Sequence, residues 1–158
     1  MQQDYRLDDI CEQVKFLILE SLDIEDREYT LTSNLVNDLD AESLDFLDIV
    51  FRLEKRFGIK LDRGSIEKTL RVRFPGLGVK PNTPMTDELK AVLKELLPEV
   101  PHEEIDGLSK IKDVARTFRI ATFVRLTVQA MLKQGSIAIA LPLTQDGYSP
   151  QQLGLPSA

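Results

Sequence analysis

From Asp38 to Gly58 the sequence runs DLDAESLDFLDIVFRLEKRFG, with no proline and no glycine before its last residue. Leu44, Leu47, Val50, Phe51 and Leu53 recur in it at the spacing that lines one face of a helix, not at the period of two that a strand needs. Gly58 fits the position just past a helix end, and Lys55 and Arg56 fall in the last turn, where cations meet the negative end of the dipole. The spacing predicts a helix from about Glu42 to Phe57, with Asp40 placed to cap it. Asp38, Asp40, Glu42, Asp45 and Asp48 crowd its N-terminal half.

The same period recurs elsewhere, and an all-α fold is expected. Ile10, Cys11, Val14, Leu17, Ile18 and Leu22 form a helical stripe after Asp8 and Asp9. From Asp23 to Asn37 polar, turn-prone residues surround Tyr29, Leu31 and Leu35, which reads as a long anchored loop. A short helix is expected near Arg63 to Leu70. Arg71 to Met85 holds three prolines and two glycines, enough to break any regular element. Leu89, Val92, Leu93, Leu96 and Leu97 then mark an amphipathic helix that opens at Thr86, Asp87 and Glu88 and stops before Pro98. This stripe is expected to pack on the final helix near Phe118, Phe123 and Val124. Pro101 to Gly107, with the only histidine, His102, reads as a loop. Ser109 is placed to cap a last helix carrying Ile111, Val114, Ala115 and Phe118. Beyond Arg119 the apolar face rotates to Ile120, Phe123, Val124 and Met131, so this is one long helix or two with a break. The tail from Gln134, with its run IAIALPL, is expected to pack as an extended strip and then fray.

Composition removes most chemistry. With one His and one Cys, the chain can build neither a Cys and His zinc cluster, nor a disulfide framework, nor a nucleophile with a histidine to spare. No catalytic residue and no metal site are assigned. Cys11 lies on an apolar stripe and reads as a small buried hydrophobe. The net charge of −6 is uneven: residues 1–62 carry 16 acidic and 7 basic side chains, a net −9, and residues 63–158 carry 10 and 13, a net +3. The acidic front half argues against nucleic acid and for partners with basic surfaces. Lys110, Lys112, Arg116, Arg119, Arg125 and Lys133 give the last helix a basic face, read either as solvated or as a docking or peripheral membrane face. The sequence shows no secretory signal and no apolar run long enough to span a bilayer, so a cytoplasmic monomer is expected.

Ser43 stands in the first turn of the acidic helix. A hydroxyl there is ordinarily a cap, yet the place also suits a phosphate ester, close to free backbone N–H groups and the positive end of the dipole. Around it the sequence resembles the acyl carrier protein family. Asp38-Leu39-Asp40-Ala41-Glu42-Ser43-Leu44-Asp45 corresponds to that family's Asp-Leu-Gly-x-Asp-Ser-Leu-Asp turn, and Leu53-Glu54 and Phe57-Gly58-Ile59 follow at its spacing. The resemblance covers roughly half the chain and leaves out residues 71–108 and the tail.

The resemblance implies an acyl-carrier-type four-helix bundle, with an additional helix inserted before the last one and an extended C-terminal tail. As domains it implies a single carrier domain, 1–133, with a loop-plus-helix insertion at about 71–108, followed by the tail, 134–158. It implies that Ser43 receives a 4'-phosphopantetheine arm, whose thiol carries acyl intermediates in fatty acid or specialised lipid biosynthesis. Asp38, Asp40, Glu42, Leu44, Asp45, Asp48 and Glu54 would then face partners: holo-carrier synthase (a phosphopantetheinyl transferase) and acyl-loading, elongating and acyl-transferring enzymes. Leu47, Phe51, Leu53 and Phe57 would serve the bundle interior. The chain would be a substrate, not an enzyme. Three departures stand out: Glu42 precedes Ser43 where the family has Asp, Asp40 replaces the usual Gly, and Lys55 and Arg56 interrupt the acidity. A peptidyl or polyketide carrier module, and a carrier-like structural or adaptor subunit, remain open alternatives.

Overall fold

Helical spacing in the sequence becomes helix throughout the computed structural model, which describes residues 6–25, 28–62, 64–135 and 148–155. The elements are α1 (Leu7–Ser21), α2 (Ser43–Phe57), α3 (Ser65–Arg73), α4 (Asp87–Leu96), α5 (His102–Asp106) and α6 (Ile120–Lys133). Tighter 3-10 helices lie at Pro75–Leu77 and Ile111–Thr117. No strand occurs among the described residues, so the fold is an all-α bundle.

The main core joins α1, α2 and α6. Ile10, Val14 and Ile18 of α1 meet Ile49 and Leu53 of α2 and Ile120, Val124 and Val128 of α6, all fully buried. The long loop before α2 fills the remaining side with Leu31, Leu35 and Leu39. Backbone pairing holds it: Leu35 N–H donates to Phe118 O (3.0 Å), Ile120 N–H to Ser33 O (3.1 Å) and Ala121 N–H to Leu31 O (2.9 Å). The buried Asn34 donates through Nδ2 to Arg116 O (2.7 Å) and accepts from Val36 and Asn37 N–H. With these bonds the loop satisfies its own buried polar groups.

A second core lies beside the first. Leu89, Leu93 and Leu97, at and just after α4, pack with Leu70 of α3, Ile105 of α5, and Ile111 and Val114 of the longer 3-10 helix. Thr86 caps α4 through its hydroxyl, accepting from Leu89 N–H. The expected packing of this stripe near Phe123 and Val124 is therefore corrected: those two residues belong to the main core, and only Phe118 touches both. The stripe finds local cover because the segment folds back between α3 and the 3-10 helix.

Three further expectations change. Pro101 to Gly107 is not an open loop but contains α5, drawn inward by the fully buried Ile105. The last helical stretch breaks at Phe118 and Arg119, and Ser109 caps nothing; Asp113 instead accepts from Lys110 N–H at 3.1 Å. Residues 120–125 are buried without interruption, so α6 is an interior helix, and of the six cations read as a basic face Lys110, Lys112, Arg116 and Lys133 remain exposed. Arg119 and Arg125 turn inward, to Glu104 (2.5 Å) and Glu99 (2.7 Å), and so tie the two cores together. The Arg125–Glu99 pair is buried on both sides, while Arg119 is buried against a Glu104 that reaches the surface; burial is tolerated because each guanidinium keeps directed hydrogen bonds.

Within the C-terminal residues, Tyr148 and Leu153 are buried against the main core, and Gln152 donates through Nε2 to Pro98 O at 3.2 Å. Gly154 is required there: its φ is +106°, and a Cβ would lie 2.8 Å from the Arg125 carbonyl oxygen. The run IAIALPL lies outside the described residues.

Candidate functional site

The start of α2 is set two residues before it. Asp40 has φ +56°, a left-handed backbone that Asp tolerates better than most residues and that Gly adopts freely. That turn lets Ala41 N–H donate to Leu35 O at 2.8 Å. Asp40 consequently cannot be the N-cap. The cap is Glu42, in extended conformation, whose N–H donates to Asp45 Oδ2 at 2.7 Å. Ser43 is then the first helical residue, exposed, with a hydroxyl that makes no hydrogen bond among the described residues. The N–H groups of Ser43 and Leu44 also lack an acceptor there, as the first donors of a helix do.

Of the acidic residues singled out from the sequence, Asp38, Asp40, Glu42, Asp45 and Asp48 lie close to this point along the chain and Glu54 about three turns further along α2, and several already have internal partners. Asp38 accepts from Asn34 N–H at 2.7 Å. Asp48 accepts from the Ser21 hydroxyl and from Arg52 Nε (2.8 Å), and these bonds, Ser21's first, hold its carboxyl below the usual carboxylate range. Arg52 also reaches Glu20 at 2.8 Å. Glu54 accepts from Leu61 N–H at 2.9 Å and fixes the chain leaving α2. Asp40, Glu42 and Leu44 are exposed, Leu44 at 76%.

The interior face of α2 differs from the expected one. Leu47 and Phe51 are not interior residues but 44% and 60% exposed; the inward line is Ile49, Leu53 and Phe57, with Phe46 and Val50 half-buried beside it. One residue advances a helix by about 100°, so a stripe read from several large apolar side chains can be centred a step away from the buried one.

Between α2, the chain entering α3, the 3-10 helix and α6 lies an apolar cleft of about 290 Å³. Phe46, Val50, Leu61, Ile66, Val114 and Leu126 are among its walls. Phe46, Phe118 and Phe123 pack around it with ring centroids 6.1 to 6.4 Å apart. The cleft begins one helical turn beyond Ser43. Its far wall is the apolar face of Ile111, Val114, Ala115 and Phe118 read from the sequence, whose spacing alone does not tell that it stands opposite α2. Among the described residues no three His, Cys, Asp or Glu side chains are grouped to hold a metal ion. His102 is exposed on α5 and Cys11 is buried in α1.

An accessible hydroxyl at a free helix N-terminus, one turn from an apolar cleft, fits a covalently attached phosphodiester with an apolar cargo. Residues 12–71 match the family model described as the phosphopantetheine attachment site, the kind of site that holds covalent 4'-phosphopantetheine. Over 61 residues the chain is 38% identical to an acyl carrier protein of Thermotoga maritima, covering 39% of this chain and 75% of that one. It is 34% identical over 61 residues to an acyl carrier protein of Petrotoga mobilis, covering 39% and 72%. No solved structure matches. With three quarters of the Thermotoga relative spanned at that identity, and the helices around Ser43 arranged as described, the chain belongs to the acyl carrier protein family.

Proposed function

We propose that Ser43 is the attachment point of the arm and that the chain carries acyl thioesters for fatty acid or specialised lipid biosynthesis. The observation that carries this reading is the position of Ser43, exposed and unbonded at the first helical residue of α2, inside the matched region. In the loading step Ser43 Oγ bonds to phosphorus, the pyrophosphate link of coenzyme A breaks, and adenosine bisphosphate leaves. The hydroxyl proton goes to a base of the transferase, since the Ser43 hydroxyl has no hydrogen-bond partner among the described residues. When bound, the arm supplies a thiol for thioester chemistry. The chain's own residues position it and shelter the cargo, each methylene that leaves water for the cleft being worth about 0.8 kcal/mol.

On this reading the protein is a substrate of its partners, not an enzyme. The transferase and the loading, elongating and acyl-transferring enzymes approach the exposed side of α2 through basic surfaces, meeting Leu44 and the acids Asp38, Asp40, Glu42, Asp45, Asp48 and Glu54. Residues 1–133 form the carrier domain, in the cytoplasm. Residues 71–108 are a specialisation: with α5 they brace the 3-10 helix that walls the cleft, and so favour a long or bulky chain. No described helix is long and apolar enough to cross a membrane.

The test is incubation with coenzyme A and a broad-specificity phosphopantetheinyl transferase, followed by intact-mass measurement. One arm should be added to the wild type and none to Ser43→Ala. A modified Ser43→Ala chain, or an unmodified wild type, overturns the assignment. Intact mass of protein from its native source identifies the cargo.

A further inference from the structure

Residues 68–86 contain no acidic side chain, although the protein has 26 acidic against 20 basic residues. Lys68, Arg71, Arg73 and Lys80 stand exposed in this stretch. Between them two apolar side chains face water: Val72, 76% exposed near the end of α3, and Leu77, 44% exposed in the 3-10 turn Pro75–Leu77. Pro75, Gly76 and Gly78 around Leu77 are exposed too.

We infer that residues 68–80 form a contact for an anionic lipid surface, with Val72 and Leu77 entering the headgroup region and Lys68, Arg71, Arg73 and Lys80 meeting lipid phosphates. Exposed apolar side chains with exposed cations next to them along the chain supply the two components of peripheral membrane binding. Three of the cations have acidic neighbours, Lys68 with Asp62, Arg71 with Glu67 and Arg73 with Glu95, at 3.8, 3.5 and 3.0 Å. Exposed pairs of this kind are weak, and phosphate competes for them readily. Lys80 has no ion-pair partner among the described residues. The strongly acidic N-terminal half is repelled by the same surface, which disfavours docking through the acidic start of α2. α3 links the two regions. Ile66 at its start lines the cleft, and Val72 lies six residues on, roughly 9 Å along the helix axis. A cargo in the cleft is thus held close to the bilayer on which the patch rests.

The experiment is co-sedimentation of the full, unmodified chain with vesicles of phosphatidylcholine alone and of equal parts phosphatidylcholine and phosphatidylglycerol, at low and physiological salt. It needs no arm, so its outcome is independent of whether Ser43 is the attachment site. Binding is expected on the anionic vesicles only and should weaken with salt. The double change Arg71→Glu and Lys80→Glu should lower it on the order of tenfold or more, since each cation near such a surface contributes comparably. Val72→Ser with Leu77→Ser should lower it while leaving the salt dependence in place. Lys55→Glu with Arg56→Glu changes the net charge equally but lies outside the patch, and should leave binding within about twofold of wild type. Equal losses from both charge-reversal pairs, no wild-type binding to anionic vesicles, or binding to polyglutamate in place of vesicles each overturns the lipid assignment.

Discussion

Glu99, fully buried in the chain that follows α4, holds Arg125 of α6 through two hydrogen bonds, Nε to Oε1 at 2.7 Å and Nη2 to Oε2 at 3.4 Å. The pair spans the seam between the two cores, and Arg125 donates a third bond to Gln129. Removing one member leaves a desolvated charge behind, which costs about 3 to 5 kcal/mol, whereas replacing both by apolar residues of similar size is often close to neutral. Glu99→Ala should therefore lower the urea midpoint far more than the double change Glu99→Leu with Arg125→Met. If the double variant is as unstable as the sum of the single ones, the two side chains act independently and the seam is not held by this pair.

Asp40 gives a prediction of opposite sign. The left-handed backbone at φ +56° strains any residue with a Cβ, and Asp less than most. Asp40→Gly should leave thermal stability unchanged or raise it slightly, and Asp40→Ala should lower it by about 1 kcal/mol. The acyl carrier family's usual Gly at this position is then explained by backbone geometry. Equal melting temperatures for Gly and Ala variants would show that the turn relaxes when Asp40 is changed.

How far the sequence discloses these features depends on how local their cause is. α1, α2 and α4 follow from apolar spacing within a few residues, and Gly58, with φ +64°, ends α2 where its position suggests. The exposed place of Ser43 at the start of α2 is legible because its setting is a short contiguous motif. Asp40 misleads because an acid before a helix usually caps it, and only the backbone bond from Ala41 to Leu35 shows that the chain turns there instead. Leu53 and Phe57 are buried as expected, whereas Leu47 and Phe51 mislead because equally apolar residues one step round the helix compete for the interior, and Ile49 is the one turned inward. Arg119 and Arg125 read as surface charge because their partners Glu104 and Glu99 are 15 and 26 residues away and belong to another element.

Tyr148 provides a pH-dependent test of the C-terminal packing. Burial disfavours the charged phenolate, and the pKa is raised above its ordinary value of about 10, against a smaller opposing effect of Arg119. At pH values below about 10 both folded and unfolded chains keep the proton, and the benefit of burial is fully present. As pH rises past that value the unfolded chain ionises first, so stability is lost until the folded phenol also titrates. Between roughly pH 9 and 11 the wild type should lose more stability than Tyr148→Phe, read from unfolding midpoints. Parallel losses in the two proteins would place the phenol in a solvated site.

Replacing residues 71–108 by a short Gly-Ser linker tests the role of the second core, and the structure shows why the simple replacement is a poor experiment. It removes Glu99 and Glu104, stranding the buried Arg125 and Arg119, and it uncovers Leu70, Ile111 and Val114. Two orphaned guanidiniums alone cost several kcal/mol, a large part of the 5 to 15 kcal/mol that an ordinary domain possesses. The shortened chain should be unfolded or nearly so, and Arg119→Met with Arg125→Met in the same chain should restore much of its helicity. In that rescued protein Ser43, distant in sequence from the change, should still accept the arm. The cleft should suffer: Val114 and Phe118 line it from a 3-10 helix and its end that α5 and Ile105 no longer brace. Loaded with a short acyl chain, rescued and full-length proteins should hydrolyse their thioesters at similar rates; loaded with a long one, the rescued protein should hydrolyse faster. Equal protection of the long chain would mean that the second core is not needed to wall the cleft.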